Sequence, residues 1–167
     1  MNLNTEKMKT IIHYIIKKTE NKKNCGKTVL YKLLYFSDFN HYELYEKLIT
    51  NETYLKFPKG PVPKHMNDLL DELIIEKKII KKENLVGKHI QQQFLSSSEP
   101  NTSKISSNEL TIINNVINDL GDMNATKISD YSHGDKPWRV AKSFEELEPE
   151  YVFYRDHPYS LREYEDD

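Results

Sequence analysis

Residues 27–45 read KTVLYKLLYFSDFNHYELY. At helical period Leu30, Leu33 and Leu34 form one apolar ridge, and Tyr31, Tyr35, Phe39 and Tyr42 run beside it as an aromatic row. Together the two rows cover more of a helix than the roughly 100° stripe of a surface helix. Such a segment belongs in the middle of a domain, with other elements packed around it. Lys32 and Asp38 interrupt this surface. Full burial of such charges is rare, so both are expected to reach the rim of the helix and stay solvated.

The flanking segments supply the packing partners. Residues 5–19 place Met8, Ile11, Ile12, Ile15 and Ile16 on one helical face with lysines opposite, and NKKNCG at 21–26 breaks the chain before the central helix. His13, beside the apolar ridge, reads as a core-edge histidine. After Tyr45 the residues become extended formers, with a turn at Asn51-Glu52. Pro58-Lys59-Gly60-Pro61-Val62-Pro63 fixes φ at three positions and removes three donors, which predicts a rigid loop without a regular element. Pro63 then suits the first turn of a helix over 64–78, carrying Met66, Leu69, Leu70, Leu73 and Ile74 inward.

Residues 79–93 predict a β-hairpin turning through Asn84-Leu85-Val86-Gly87. The polar stretch 96–108 reads as a surface loop, ended by the capping-box pair Ser106 and Glu109 before a helix to Leu120. A short helix follows Asn124, with Ala125, Ile128 and Tyr131 inward. His133-Gly134-Asp135 makes a turn, and Lys136–Val140 a further short helix whose Trp138 plugs the core. EYVFYR at 150–155 suits a strand, and the acidic tail after about 156 is expected to fray. The fold class is therefore mainly α (α+β): about six helices around helix 27–45, with a small β-hairpin or sheet at one edge. The 167 residues form a single domain.

Composition excludes several classes. No apolar run approaches the ~20 residues of a membrane span, and no signal peptide opens the chain, so a cytoplasmic protein is expected. Cys25 is the only cysteine, which rules out an intrachain disulfide and a thiolate zinc cluster. The five glycines form no phosphate-cradling motif, and the six histidines lack metal-ligand spacing. Ser132, His133 and Asp135 contain the letters of a hydrolase triad, but neighbours on one turn point apart. A Cys25–histidine nucleophile pair has nothing to locate its base. No catalytic residue, cofactor or metal is expected.

Charge is uneven. Residues 1–104 carry 18 lysines against 12 acids, and residues 105–167 carry 6 basic residues against 14 acids. A basic, nucleic-acid-directed partner would be drawn to the second half and an acidic one to the first; the former is weakly favoured. Segments 109–120 and 125–132 suit a helix-turn-helix, with the 79–93 hairpin as a wing. The recognition segment has only Lys127, opposed by Asp130, so DNA binding by this chain alone is the weaker alternative.

Three blocks, KLLYFSDF at 32–39, TNETYLKFPKGPVP at 50–63 and YSHGDKPW at 131–138, resemble in order and spacing the Panacea domain. This is the SocA-like antitoxin domain, also found in phage-associated GepA-type proteins. The resemblance runs from about Lys27 to Trp138. It implies an antitoxin that neutralises a cognate toxin, encoded by an adjacent gene, through direct protein–protein binding. The SocA-like branch implies a second possibility, an adaptor delivering the toxin to a protease. Some relatives carry a DNA-binding module ahead of the domain, for which no room is expected here. The positions matching the family pattern are Lys32, Leu33, Tyr35, Asp38, Gly60, Pro61, Pro63, Ser132, His133, Pro137 and Trp138. An exposed edge bearing Asp38 and the 132–138 turn is the expected toxin surface, against the alternative that these residues only hold the fold.

Overall fold

The central helix, α2, runs Lys27–Tyr45, as the apolar pattern predicts. The computed structural model of the chain describes residues 2–164. Twelve of the helix's 19 residues are buried, which requires neighbours on every side. They are supplied by α1 (Thr5–Thr19), α4 (Ser107–Leu120), α5 (Ala125–His133), a 3-10 helix (Pro149–Tyr154) and two small sheets. Helices α3 (Met66–Ile75) and α6 (Lys136–Val140) complete a mainly helical fold. Each sheet has two antiparallel strands: β1 (Tyr54–Phe57) with β2 (Gly60–Pro63), and β3 (Ile79–Val86) with β4 (His89–Ser96).

Local signals set the helix ends. The Asn4 side chain accepts from Lys7 N at the start of α1, and Asn124 does the same for Lys127 N in α5. Ser106 and Glu109 exchange bonds of 3.1 and 2.9 Å, closing the capping box of α4. Helix α2 stops at Glu46, whose left-handed backbone (φ 59°) turns its N–H onto Tyr42 O. One apolar cluster runs through all layers. At its centre Tyr35, Phe39 and Tyr54 pack ring on ring at 4.4–5.5 Å.

The structure corrects the sequence at four places. Pro61 and Pro63 lie within β2, not in an irregular loop. Their register opposite Lys56 and Tyr54 puts the missing N–H groups off the ladder, while Leu55↔Val62 and Phe57↔Gly60 alternate with the Lys64 N to Thr53 O bond. Pro63 therefore closes a strand, and α3 begins three residues later, at Met66. The long hairpin keeps its ladder through Asn84-Leu85-Val86 and turns only at Gly87 (φ 62°) and Lys88. Residues 149–154 form a 3-10 helix instead of a strand, because β1 is already flanked by 144–147 through Phe144 N to Lys56 O and Leu147 N to Tyr54 O.

The tail differs as well. Leu161 N and Arg162 N both donate to Glu43 Oε2, at 3.0 and 3.1 Å, and Tyr164 OH reaches the same oxygen. Residues 160–164 are thus tied to α2 instead of frayed, and the last acids of the expected tail lie outside the described residues. Ala125, expected inward, is exposed, whereas Ile128 is fully buried.

Candidate functional site

Charged residues on an otherwise apolar helix need partners. Asp38 is fully buried and accepts four hydrogen bonds: Ile49 N (2.9 Å) and Thr50 N (3.0 Å) on one oxygen, Thr50 Oγ1 (2.6 Å) and Tyr54 OH (2.5 Å) on the other. It thereby ties the turn before β1 to α2. Burial raises its carboxyl above the usual range, although the four donors act in the opposite direction. Asp38 therefore presents no edge to a partner, and the expectation that it reaches the solvated rim is overturned.

Eight residues C-terminal to Tyr35 on the same helix, Glu43 joins a second buried network. Tyr35 OH donates to Asp135 Oδ2 at 2.8 Å, and Arg155 forks onto both Asp135 oxygens and onto Glu43 and Asn40. Burial opposes the charge on Arg155, but the Asp135 carboxylate more than offsets it and raises the guanidinium pKa further. Burial, reinforced by Asp135, lifts the Tyr35 phenol well above its ordinary value. Sequence reasoning missed Glu43 and Arg155. A signal existed: the chain has only three arginines among its 24 basic residues, and Arg155 and Arg162 both meet Glu43. A planar fork is what such a site demands.

The remaining motif residues meet at Gly60, where β2 begins. Its φ of 114° suits glycine, and a Cβ there would collide with Ser132 Oγ and lie 2.7 Å from Lys32 Cε. The β1–β2 turn is fixed on its other side by Trp138, whose Nε1 donates to Phe57 O at 3.1 Å. His133 stacks on the indole at 4.3 Å, and the Lys56 ammonium lies 4.2 Å from the Trp138 ring centroid. Pro137 is buried in the first turn of α6. Lys32, Gly60, Pro61, Ser132, His133 and Trp138 thus come together from α2, the first hairpin, α5 and α6. Tyr35 and Asp38 lie deeper, and Pro63 at the far end of β2.

Lys32 differs from the other buried charges. It is 1% exposed, yet no carboxylate offsets the burial of its ammonium. Burial and the nearby Lys59 lower its pKa to about 8. It, too, does not snorkel, because Gly60 and Ser132 close over its end.

The triad letters do not form a triad. Ser132 Oγ donates to Ser129 O at 2.7 Å, and Asp135 is committed to Arg155 and Tyr35. Burial pushes the Cys25 thiol up, away from the thiolate form. Among the described residues no group of three His, Cys, Asp or Glu side chains is arranged to hold a metal ion.

Comparison with known proteins gives one match. The family model described as antitoxin SocA-like, Panacea domain, matches residues 30–139, from the first turn of α2 into α6. No curated protein and no solved structure matches the chain.

Proposed function

This chain belongs to the SocA-like antitoxin family, the Panacea domain, and from that premise we propose that it neutralises a cognate toxin by binding it directly. The observation that carries the reading is the meeting of Lys32, Gly60, Ser132, His133 and Trp138 at one junction. Four elements are held there by short, specific contacts, which fixes the half-buried His133 and Trp138 and the exposed Lys59 turn above them as a rigid, low-entropy surface suited to partner binding. The protein acts as a non-enzymatic binding domain in the cytoplasm, and its toxin is encoded by an adjacent gene. None of the helices described is long and apolar enough to cross a membrane.

The test is co-expression of the chain with its neighbouring gene product, scoring growth and co-purification. Rescue of growth with a stable complex is the expected result. Rescue with loss of the toxin protein and no complex would replace direct blocking by delivery to a protease. A harmless neighbour that does not co-purify would overturn the antitoxin reading for this chain.

A further inference from the structure

An open groove of about 650 Å³ lies between the long hairpin and the loops beside Gly60. Its walls come from the α1–α2 loop, the first turn of α2, the β1–β2 turn, β4 and the start of α5. Lys23, Lys27, Lys59 and His89 face it, and no acidic residue lines it. Burial and then Lys81 on β3 push the Lys27 ammonium down, and the nearby Asp71 carboxylate only partly opposes them, so a further cation stands close by. Behind the Lys59 turn sits the ammonium of Lys32, with no carboxylate to offset it. A concentration of unneutralised positive charge of this kind is self-repelling until an anion arrives.

The groove is also apolar and asks for a donor. Val86 and Ile90 line it, the latter 67% exposed, and Leu85 beside them is 77% exposed. The Gln92 side-chain oxygen, on the same wall, is buried and accepts no hydrogen bond among the described residues. A peptide supplies N–H groups, carboxylates and apolar side chains together. A nucleic acid fits less well: the lining has no arginine and no Phe, Tyr or Trp ring on which bases would stack, His89 being its one aromatic side chain.

We propose that this groove receives a carboxylate-bearing, partly apolar peptide segment of the protein partner, seated between the Lys27 and Lys59 side chains and against Ile90. That the partner is the toxin rests on the antitoxin reading; the groove chemistry does not. The inference reverses the weak preference for a basic partner drawn from the two halves of the sequence. The halves mislead because several second-half acids are internal or already paired, as Asp135 is with Arg155 and Glu109 with Lys7, whereas the groove lysines have no carboxylate partner among the described residues.

The test uses a fluorescein-labelled peptide of alternating glutamate and leucine, read by anisotropy at low salt on the full chain. Its lysine–leucine counterpart and a labelled single-stranded oligonucleotide serve as the comparison probes. The wild type is expected to bind the glutamate–leucine probe and not the lysine–leucine one. Lys27→Glu/Lys59→Glu should weaken binding roughly tenfold or more, and Ile90→Ser should weaken it without altering its salt dependence. Of the three substituted side chains Lys59 and Ile90 are exposed and Lys27 is half-buried, and circular dichroism checks that each variant is folded. Equal binding by wild type and charge-reversed chain overturns the proposal, as does tighter binding of the oligonucleotide. The same variants, co-expressed with the neighbouring toxin, separate the two readings. Full neutralisation by the charge-reversed chain rejects the groove as the toxin site and leaves the antitoxin role standing. Failure of the wild type to neutralise rejects the antitoxin role, whatever the peptide does.

Discussion

Arg155 and Asp135 meet in two parallel 2.8 Å hydrogen bonds, Nε to Oδ1 and Nη2 to Oδ2, with neither side chain exposed. The third guanidinium nitrogen reaches Glu43 at 3.0 Å. Removing the cation would leave two buried carboxylates uncompensated. Arg155→Leu is therefore expected to lower stability by about 3–5 kcal/mol. Arg155→Lys should recover little of it, because a point charge cannot span both acids. Urea unfolding decides the matter, and a loss under about 1 kcal/mol would show that the network is not what joins the C-terminal segment to α2.

Asp38 is the hub for the turn before β1. Asp38→Ala strands two backbone N–H groups and the Thr50 hydroxyl in the core and leaves the Tyr54 hydroxyl only its 3.3 Å bond to Leu34 O. Each unsatisfied group costs about 1–3 kcal/mol, so a total of at least about 3 kcal/mol is expected even after partial relaxation. Asp38→Asn keeps Oδ1 for the two N–H groups but sets an amide against two hydroxyls, and should fall between. Thermal unfolding of the two variants orders them, and equal stabilities would contradict the account.

Gly60→Ala places a methyl group against Ser132 Oγ and Lys32 Cε at a backbone angle that side chains rarely adopt. A cost of at least about 2 kcal/mol is expected. The companion change Ser132→Gly removes one clash and not the backbone strain, so it should restore only part of the loss. Full restoration in the double variant would assign the whole cost to crowding.

Lys32 should destabilise the fold it sits in. Its amine faces Lys59 from the β1–β2 turn, Ser132 from α5 and the Tyr31 ring of its own helix, and titrates at about 8 against an unfolded value near 10.5. Between those values the unfolded chain binds the extra proton, so this group makes stability rise with pH across about 8 to 10.5. Below that window the penalty is fully present. Lys32→Met should thus be more stable at pH 7, by up to about 3 kcal/mol, and should lose that rise. Denaturant midpoints at pH 7 and 10, wild type against variant, test this, with no gain at pH 7 as the contrary result.

How much of this was legible in sequence depended on whether the signal was local. Helices α1, α2 and α4 follow from apolar period and capping residues, and Ser106 with Glu109 marks its helix start to the residue. The motif blocks carried the family, and the matched residues 30–139 include every member of the Gly60 junction. What could not be read was pairing at a distance. Nothing near Asp38 announces that Thr50 and Tyr54 will solvate it, so exposure was the reasonable expectation and burial the outcome. The prolines of β2 misled because their lost donors were weighed without the register that makes those donors unnecessary. The groove was invisible for the same reason: Lys27, Lys59 and His89 are far apart in sequence and belong to three different elements.

Glu43 has a consequence for the order in which the molecule is made. Its helix leaves the ribosome early, yet its carboxylate waits for Arg155, Leu161 and Arg162, more than a hundred positions later. Asp135 waits likewise for Arg155. Until those residues emerge, the nascent chain has acidic groups bound for its interior with no cation to meet them, which opposes closure of its core. A product that terminates early is then marked as incomplete by its own electrostatics, and only a chain translated past these residues acquires the packed interior that resists proteolysis.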